Sequence, residues 1–211
     1  MTPIPTMTAM HKTLGFGLSV LLALSMAACG GGPRGRVMSD SEEDQVGNRA
    51  AGAETWDRLV AGTVEKLLSS RAAAITNLGQ KKIAVMPIEN KSAEELGDWR
   101  DQLYEVIATS INESERFRTI SQEFLRVALT EARVSGDEVY LPRGRRAIAQ
   151  ALEQKGAPIE MLLRTTITTG TTNPGQRESQ RNYGLTLVLI DIETGEEVNR
   201  SMVRVRKEYS R

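Results

Sequence analysis

The chain holds 211 residues, with 27 Lys+Arg against 27 Asp+Glu, one histidine and one cysteine. Balanced charge argues against a general nucleic-acid binder or a protein held on anionic membranes by its surface. A lone cysteine excludes a disulfide within the chain, so stability has to come from an apolar core.

Residues 1–28 read as a signal peptide. Leu14 to Ala28 is apolar and uncharged and follows a short cationic stretch at His11-Lys12. At about 1.5 Å rise per residue this run spans roughly 22 Å as a helix, short of the roughly 30 Å hydrocarbon core, so a cleaved address is favoured over a permanent span. It ends Leu24-Ser25-Met26-Ala27-Ala28-Cys29-Gly30, which resembles the bacterial lipobox with Met26 in place of the usual leucine. On this reading Cys29 is the lipidation site and the mature N-terminus. The alternative, an Ala-x-Ala type of cleavage that leaves Cys29 an ordinary thiol, is weaker because the sole cysteine sits where the signal ends. Met1 to Ala9 carries no charge and fits no signal region, which makes Met10 an alternative start. Gly30, not aspartate, follows the cysteine, and by the enterobacterial sorting pattern that directs the lipid anchor to the outer membrane with the domain in the periplasm.

Processing removes His11 and Lys12, leaving 26 basic against 27 acidic side chains and no histidine. Residues 29–52 form the expected linker: Gly-Gly-Gly-Pro, then the acidic Asp40, Glu42, Glu43 and Asp44, with almost no large apolar residue. Such a segment reaches roughly 75–80 Å when stretched but only about 25–30 Å on average. Residues 53–211 are the length of one ordinary domain, able to bury about 68–70% of the surface of the unfolded chain.

Within that domain a first helix is predicted from Thr55 as cap, with Trp56, Leu59, Val60, Thr63, Val64, Leu67 and Leu68 on one face. Trp56 reads as a core anchor in preference to a partner-binding aromatic. Ala72 to Ile75 extend the helix until Asn77 and Gly79 end it. Lys82 to Ile88 is a short buried strand that Pro87 terminates or places at an edge, and Asn90-Lys91-Ser92 turns the chain. A second helix from about Asp98 turns Trp99, Leu103, Val106, Ile107 and Ile111 inward. A brief strand at 116–120 follows. Ser121 then caps a third helix with Phe124, Leu125, Ala128, Leu129 and Ala132 on its buried face. After a loop from Ser135 to Pro142, a fourth helix runs from Arg143 to Lys155, with Ala147, Ile148, Ala151 and Leu152 inward and Gly156 as its stop. The period then changes to two residues, giving strands near 160–169, 183–192 and 197–206, the last two joined as a hairpin through Glu193-Thr-Gly-Glu196. The expected fold is α/β: about four helices packed on a single mixed or largely antiparallel sheet.

The chemistry readable from the sequence consists mostly of exclusions. A mature chain without histidine or a free thiol builds no Ser-His-Asp or Cys-His site and lacks the usual zinc ligands. Asp137-Glu138 are adjacent acids in a loop whose side chains diverge into solvent, so no catalytic residue, metal site or cofactor is assigned. The glycine run 30–32 precedes no strand-to-helix unit and is no phosphate loop. From Gly136 onward there are 12 Lys+Arg and 10 Asp+Glu, against 14 and 17 between Cys29 and Ser135, so basic charge is displaced toward the carboxyl half. Arg143, Arg145 and Arg146 at one helix start, with Arg204 and Arg206 on the last strand, are the candidate partner-binding residues, for an acidic partner. A solvated surface is the competing reading, although arginines at a helix start oppose the helix dipole and gain nothing there from it.

Lys82-Ile-Ala-Val-Met-Pro-Ile-Glu-Asn-Lys-Ser92, Val106-Ile-Ala-Thr-Ser-Ile111, Arg116-Phe-Arg-Thr-Ile120, and the late Tyr183 with Asp191-Ile-Glu-Thr-Gly195 together resemble the LpoB family. The resemblance covers roughly Thr55 to Lys207 and lies in the order of these stretches; Asn199 departs from it, standing where relatives often carry an aromatic. It implies a fold related to the amino-terminal domain of TolB and to CsgG. It also implies a non-enzymatic outer-membrane lipoprotein that binds and stimulates a peptidoglycan synthase, a class A penicillin-binding protein. The alternative function is a CsgG-like secretion or assembly lipoprotein that oligomerises, although no long amphipathic strands remain to line a barrel once the core is built.

Overall fold

In the computed structural model, residues 51–70, 80–172 and 178–210 are described, all within the unit Glu43–Arg211. The signal peptide, Cys29, linker residues 30–50 and the helix extension at Ala72 to Ile75 with its stop at Asn77 and Gly79 lie outside the described residues, whereas Ala51 and Gly52, the expected end of the linker, are buried in the folded domain.

Helix α1 (Ala53–Leu68) buries Trp56, Leu59, Val60, Thr63, Val64 and Leu67, the stripe that 3.6-residue spacing predicts. Its start differs from the expectation. Gly52 is the cap, its carbonyl accepting from the amides of Thr55 at 3.1 Å and Trp56 at 3.3 Å, so Thr55 is a buried first-turn residue and not the cap.

Strand β1 (Lys81–Val85) pairs in parallel with β3 (Phe117–Thr119) on one side and with β4 (Met161–Thr172) on the other. Strand β2 (Glu89–Lys91) continues along β4 where the sequence predicted a turn. Val85 aligns with Leu163 and Glu89 with Thr166, so Met86-Pro87-Ile88 inserts one extra residue relative to β4. Pro87 has no N–H to offer the ladder, which accounts for the interruption. The turn itself is displaced to Ser92, whose amide donates to Asn90 Oδ1 at 3.0 Å. Antiparallel β5 (Glu178–Asp191) begins earlier and β6 (Glu197–Ser210) ends later than predicted, and they complete an open, mixed six-stranded sheet in the order β3-β1-β4-β5-β6, with β2 on β4.

Alternation along the strands feeds two cores. Ile83, Val85, Leu163, Ile167, Leu185, Leu187 and Leu189 meet α1 and α2 (Trp99–Glu113) on one face. Ala84, Met86, Leu162, Val188 and Ile190 meet α3 (Gln122–Ala132) and α4 (Pro142–Gln154) on the other. A 3₁₀ turn, Gly136–Tyr140, breaks the predicted loop and buries Val139. Two inward assignments are corrected. Val106 is 42% exposed and Phe124 46%, because α2 faces the sheet with Leu103, Tyr104, Ile107, Ala108 and Ile111 and α3 with Leu125 and Ala128. The caps agree with the sequence: Ser121 Oγ accepts from the Phe124 amide at 3.2 Å, and Gly156, at φ 73°, ends α4 while Ala157 N–H donates back to Leu152.

Val85 and Ile107 are both fully buried in the α1/α2 core. Val85→Asp or Ile107→Asp therefore places an unpaired carboxylate there, at a cost of several kcal/mol against a total stability of about 5–15. Thermal melts of both variants should show loss of the cooperative transition at room temperature or a large drop in Tm; an unchanged Tm for both contradicts this packing.

Candidate functional site

The five arginines singled out by sequence divide into two places and two roles. At the start of α4, Arg143 and Arg146 are exposed, whereas Arg145 is only 7% exposed. Its Nη1 donates to the Tyr140 carbonyl at 2.6 Å, Nη2 to the Thr194 carbonyl at 3.1 Å and Nε to the Ile192 carbonyl at 3.3 Å. The guanidinium thus fastens α4 and the 3₁₀ turn to the β5–β6 hairpin. Gly195, at φ 78°, completes the arrangement, since a Cβ there would overlap the guanidinium. Arg145 is therefore a structural residue and not part of an exposed docking surface, which corrects the expectation. Its signal was present in the sequence: it shares the apolar stripe of α4 with Ile148, Ala151 and Leu152.

Arg145→Ala leaves three carbonyls without their donor and should cost about 2–4 kcal/mol. Arg146→Glu on the open surface should stay within about ±0.5 kcal/mol. Denaturant titration of the two single variants checks the contrast, and equal stabilities would remove the structural role of Arg145.

Arg204 and Arg206 lie on β6, on the sheet face opposite α1 and α2, as the alternation of the last strand predicts. Seven residues of strand, about 23 Å, separate Arg204 from Glu197 beside the hairpin, so the two arginine groups do not converge. Nearer the hairpin this face is neutralised. Glu197 accepts from Arg200 Nη2 at 2.6 Å and lies 3.8 Å from Arg164, and the Arg200 hydrogen bond holds its carboxyl below the usual carboxylate range. Arg164 in turn stands over the Tyr140 ring, 5.1 Å from its centroid. Further along, neither Arg204 nor Arg206 forms an ion pair among the described residues. Arg204 has no hydrogen-bond or ion-pair partner among the described residues, and Arg206 Nε donates to Asn182 Oδ1 at 3.2 Å. Between them and β4 lies a trough of about 610 Å³ bordered by Thr168, Gly170, Asn182, Gly184 and Met202. Gly184 keeps it open, because a Cβ there would approach Thr168 Oγ1 to 2.9 Å and Met202 Cε to 3.1 Å.

Tyr183 faces the opposite way and is fully buried. Its hydroxyl donates to Glu94 Oε1 at 2.8 Å, its ring meets Trp56 edge-on at 5.9 Å, and Arg181 pairs with the same carboxylate. Glu94 Oε2 also accepts from the Ala51 amide at 3.2 Å, so this acid ties the entry of α1 to β5. Trp56 is a core residue, as predicted. Asn199 is absorbed into the same layer, with Nδ2 donating to Leu67 O at 3.2 Å and to Ser70 Oγ at 2.5 Å across the end of α1. Among the described residues there is no cluster of His, Cys, Asp and Glu able to hold a metal ion, and no helix long and apolar enough to cross a membrane. Asp137 and Glu138 are exposed on the 3₁₀ turn.

Burial, reinforced by the neighbouring Glu89 carboxylate, pushes the Tyr140 hydroxyl well above its ordinary value of 10.0. Ionisation is then easier in the unfolded chain, so stability is fully present below pH 10 and is lost as pH rises beyond it. Stability measured between pH 8 and pH 11 should fall less steeply in Tyr140→Phe than in the parent; identical slopes contradict the linkage.

The family model described as peptidoglycan-synthase activator LpoB matches residues 48–202, which takes in nearly all of the described domain. The chain belongs to the LpoB family. Its fold is similar to that of the LpoB C-terminal domain from Salmonella enterica, at 16% identity and a TM-score of 0.50, over 71% of this chain and 97% of that one. The LpoB C-terminal domain from Escherichia coli is matched at 16% identity over the same shares with a TM-score of 0.49. The NMR structure of E. coli LpoB is matched at 15% identity over 97% of this chain and 86% of that one, with a TM-score of 0.48. No curated protein is matched by sequence. The family is thus one of regulatory activators of peptidoglycan synthases.

Proposed function

We propose that this LpoB-family domain, anchored in the outer membrane through a lipid on Cys29 and carried on a linker that ends at residue 50, docks on a class A penicillin-binding protein in the periplasm and stimulates its synthase activity. The observation that carries the proposal is the family match across 48–202, spanning both cores and the whole sheet apart from the end of β6. The lipobox-like Leu24 to Cys29 supports the anchor. Arg204 and Arg206 are the docking residues proposed for the synthase, and Arg143 with Arg146 form a separate basic site at the start of α4. Arg145 is withdrawn from that set because its guanidinium is committed to three carbonyls.

Two measurements test the reading. Cys29→Ser should end lipid labelling and release the protein from membranes, since acyl chains contribute about 0.8 kcal/mol per buried CH₂. Continued full membrane association sinks the anchor. Arg204→Glu combined with Arg206→Glu should leave the fold intact while lowering synthase stimulation, mainly through a slower on-rate with a flatter salt dependence. Equal stimulation and equal salt slopes would return both arginines to ordinary solvated surface.

A further inference from the structure

Among the described strands, β6 lies at one edge of the sheet and β3 at the other. In an antiparallel pair, alternate residues direct their N–H and C=O toward the neighbouring strand and away from it. The Met202 carbonyl accepts from Lys66 Nζ at 3.3 Å, which marks Met202 as turned outward. Arg204 and Arg206, two and four residues on, then carry their own N–H and C=O on the same open edge. Their side chains stand on the same face as Met202, beside the trough over Gly184.

We propose that the outer edge of β6 at Arg204 to Arg206 is a strand-addition site for an extended acidic segment of a partner protein. The proposal rests on the activator reading in one respect only, that the segment belongs to the synthase. An added strand gains backbone hydrogen bonds from the edge, and its side chains on this face come opposite the two arginines, where a carboxylate forms a favourable cross-strand pair and a cation an unfavourable one. The neutralised half of the face, with Glu197 on Arg164 and Arg200, offers no such selection. A second copy of β6 fits poorly. With Arg200 already paired to Glu197, the row Arg200, Met202, Arg204, Arg206, Glu208 still sets Arg204 and Arg206 against the single anion Glu208, so two copies bring net positive charge together. Charge on an edge strand is an ordinary defence against pairing of like strands; here it also leaves the edge open to one of opposite sign.

The test uses the full chain in detergent with two short blocked peptides, one alternating Glu and Val, the other Lys and Val. Residue-resolved amide hydrogen exchange should slow about fivefold at Arg204 and Arg206 when the free acidic peptide is at about four times its Kd, in proportion to occupancy. The lysine peptide should leave both amides unchanged. Arg204→Pro removes an outward N–H without touching the β5–β6 ladder and should abolish the effect, while Arg204→Lys retains it. Should the proline variant not fold, Arg204→Glu with Arg206→Glu serves instead, and should lose the acidic peptide and take up the lysine one. Absence of slowing with the acidic peptide, equal slowing by both peptides, or self-association of the chain that Arg204→Pro removes would each overturn the proposal. The peptide measurements involve no synthase. A chain that takes up the acidic peptide but stimulates no synthase keeps the edge site and loses the activator reading, and the reverse result does the opposite.

Discussion

Strand β4 is the constraint on which the rest of the structure depends. It pairs in parallel with β1 and β2 along one edge and antiparallel with β5 along the other, so it is where the α/β half of the fold meets the β-hairpin half. Its alternation sends Met161 and Leu163 to the α1/α2 core and Leu162 to the α3/α4 core, and all three are almost wholly buried. A one-residue slip in β4 would exchange the two sets and expose both cores to the wrong helices. The bulge at Met86-Pro87-Ile88 follows from the same requirement. The chain must resume pairing with β4 after Pro87 has interrupted the ladder, and the extra residue allows β2 to rejoin in register.

Local rules made most of the elements legible. The 3.6-residue stripe of α1, the Ser121 cap, the Gly156 stop and the change to two-residue alternation at Met161 each depend on a few neighbouring residues, and each is found where predicted. What local pattern could not settle was the angle of a helix against its sheet. Val106 and Phe124 are apolar and lie one position from the buried stripe, yet both face water, since the sheet has room for about five residues of α2 and fewer of α3. Strand β2 was invisible for another reason. Glu89-Asn-Lys91 has no apolar alternation, and its strand character comes entirely from the β4 partner.

The arginines were legible as a charge excess but not as a site. Composition cannot distinguish a guanidinium that ends in solvent from one that ends on carbonyls, and the spacing of α4 held the clue that separates Arg145 from its neighbours. Its burial also answers the question raised by arginine at a helix start. Arg145 gains nothing from the helix dipole, but it satisfies the Tyr140, Ile192 and Thr194 carbonyls, and each of those would be costly to leave unpaired in a partly dry interior.

The position of that clamp bears on the opposite end of the hairpin. Arg145 and Gly195 hold the turn at the α4 side, Glu94 holds Arg181 and Tyr183 from the α1 side, and Asn199 binds the start of β6 to the end of α1. Every one of these restraints acts on β5, on the turn or on the first residues of β6. Beyond Met202, where Lys66 takes the last carbonyl reached from α1, β6 is held by its ladder to β5 and by Val203 and Val205 against the α1/α2 core. Arg204 and Arg206 therefore sit on a strand whose inner register is fixed by Tyr183 and Leu185 in the core while no described strand pairs with its outer edge. A binding edge needs that combination: rigid enough that an incoming strand meets a preformed row of donors and acceptors with little ordering cost, and open enough that nothing has to be displaced first.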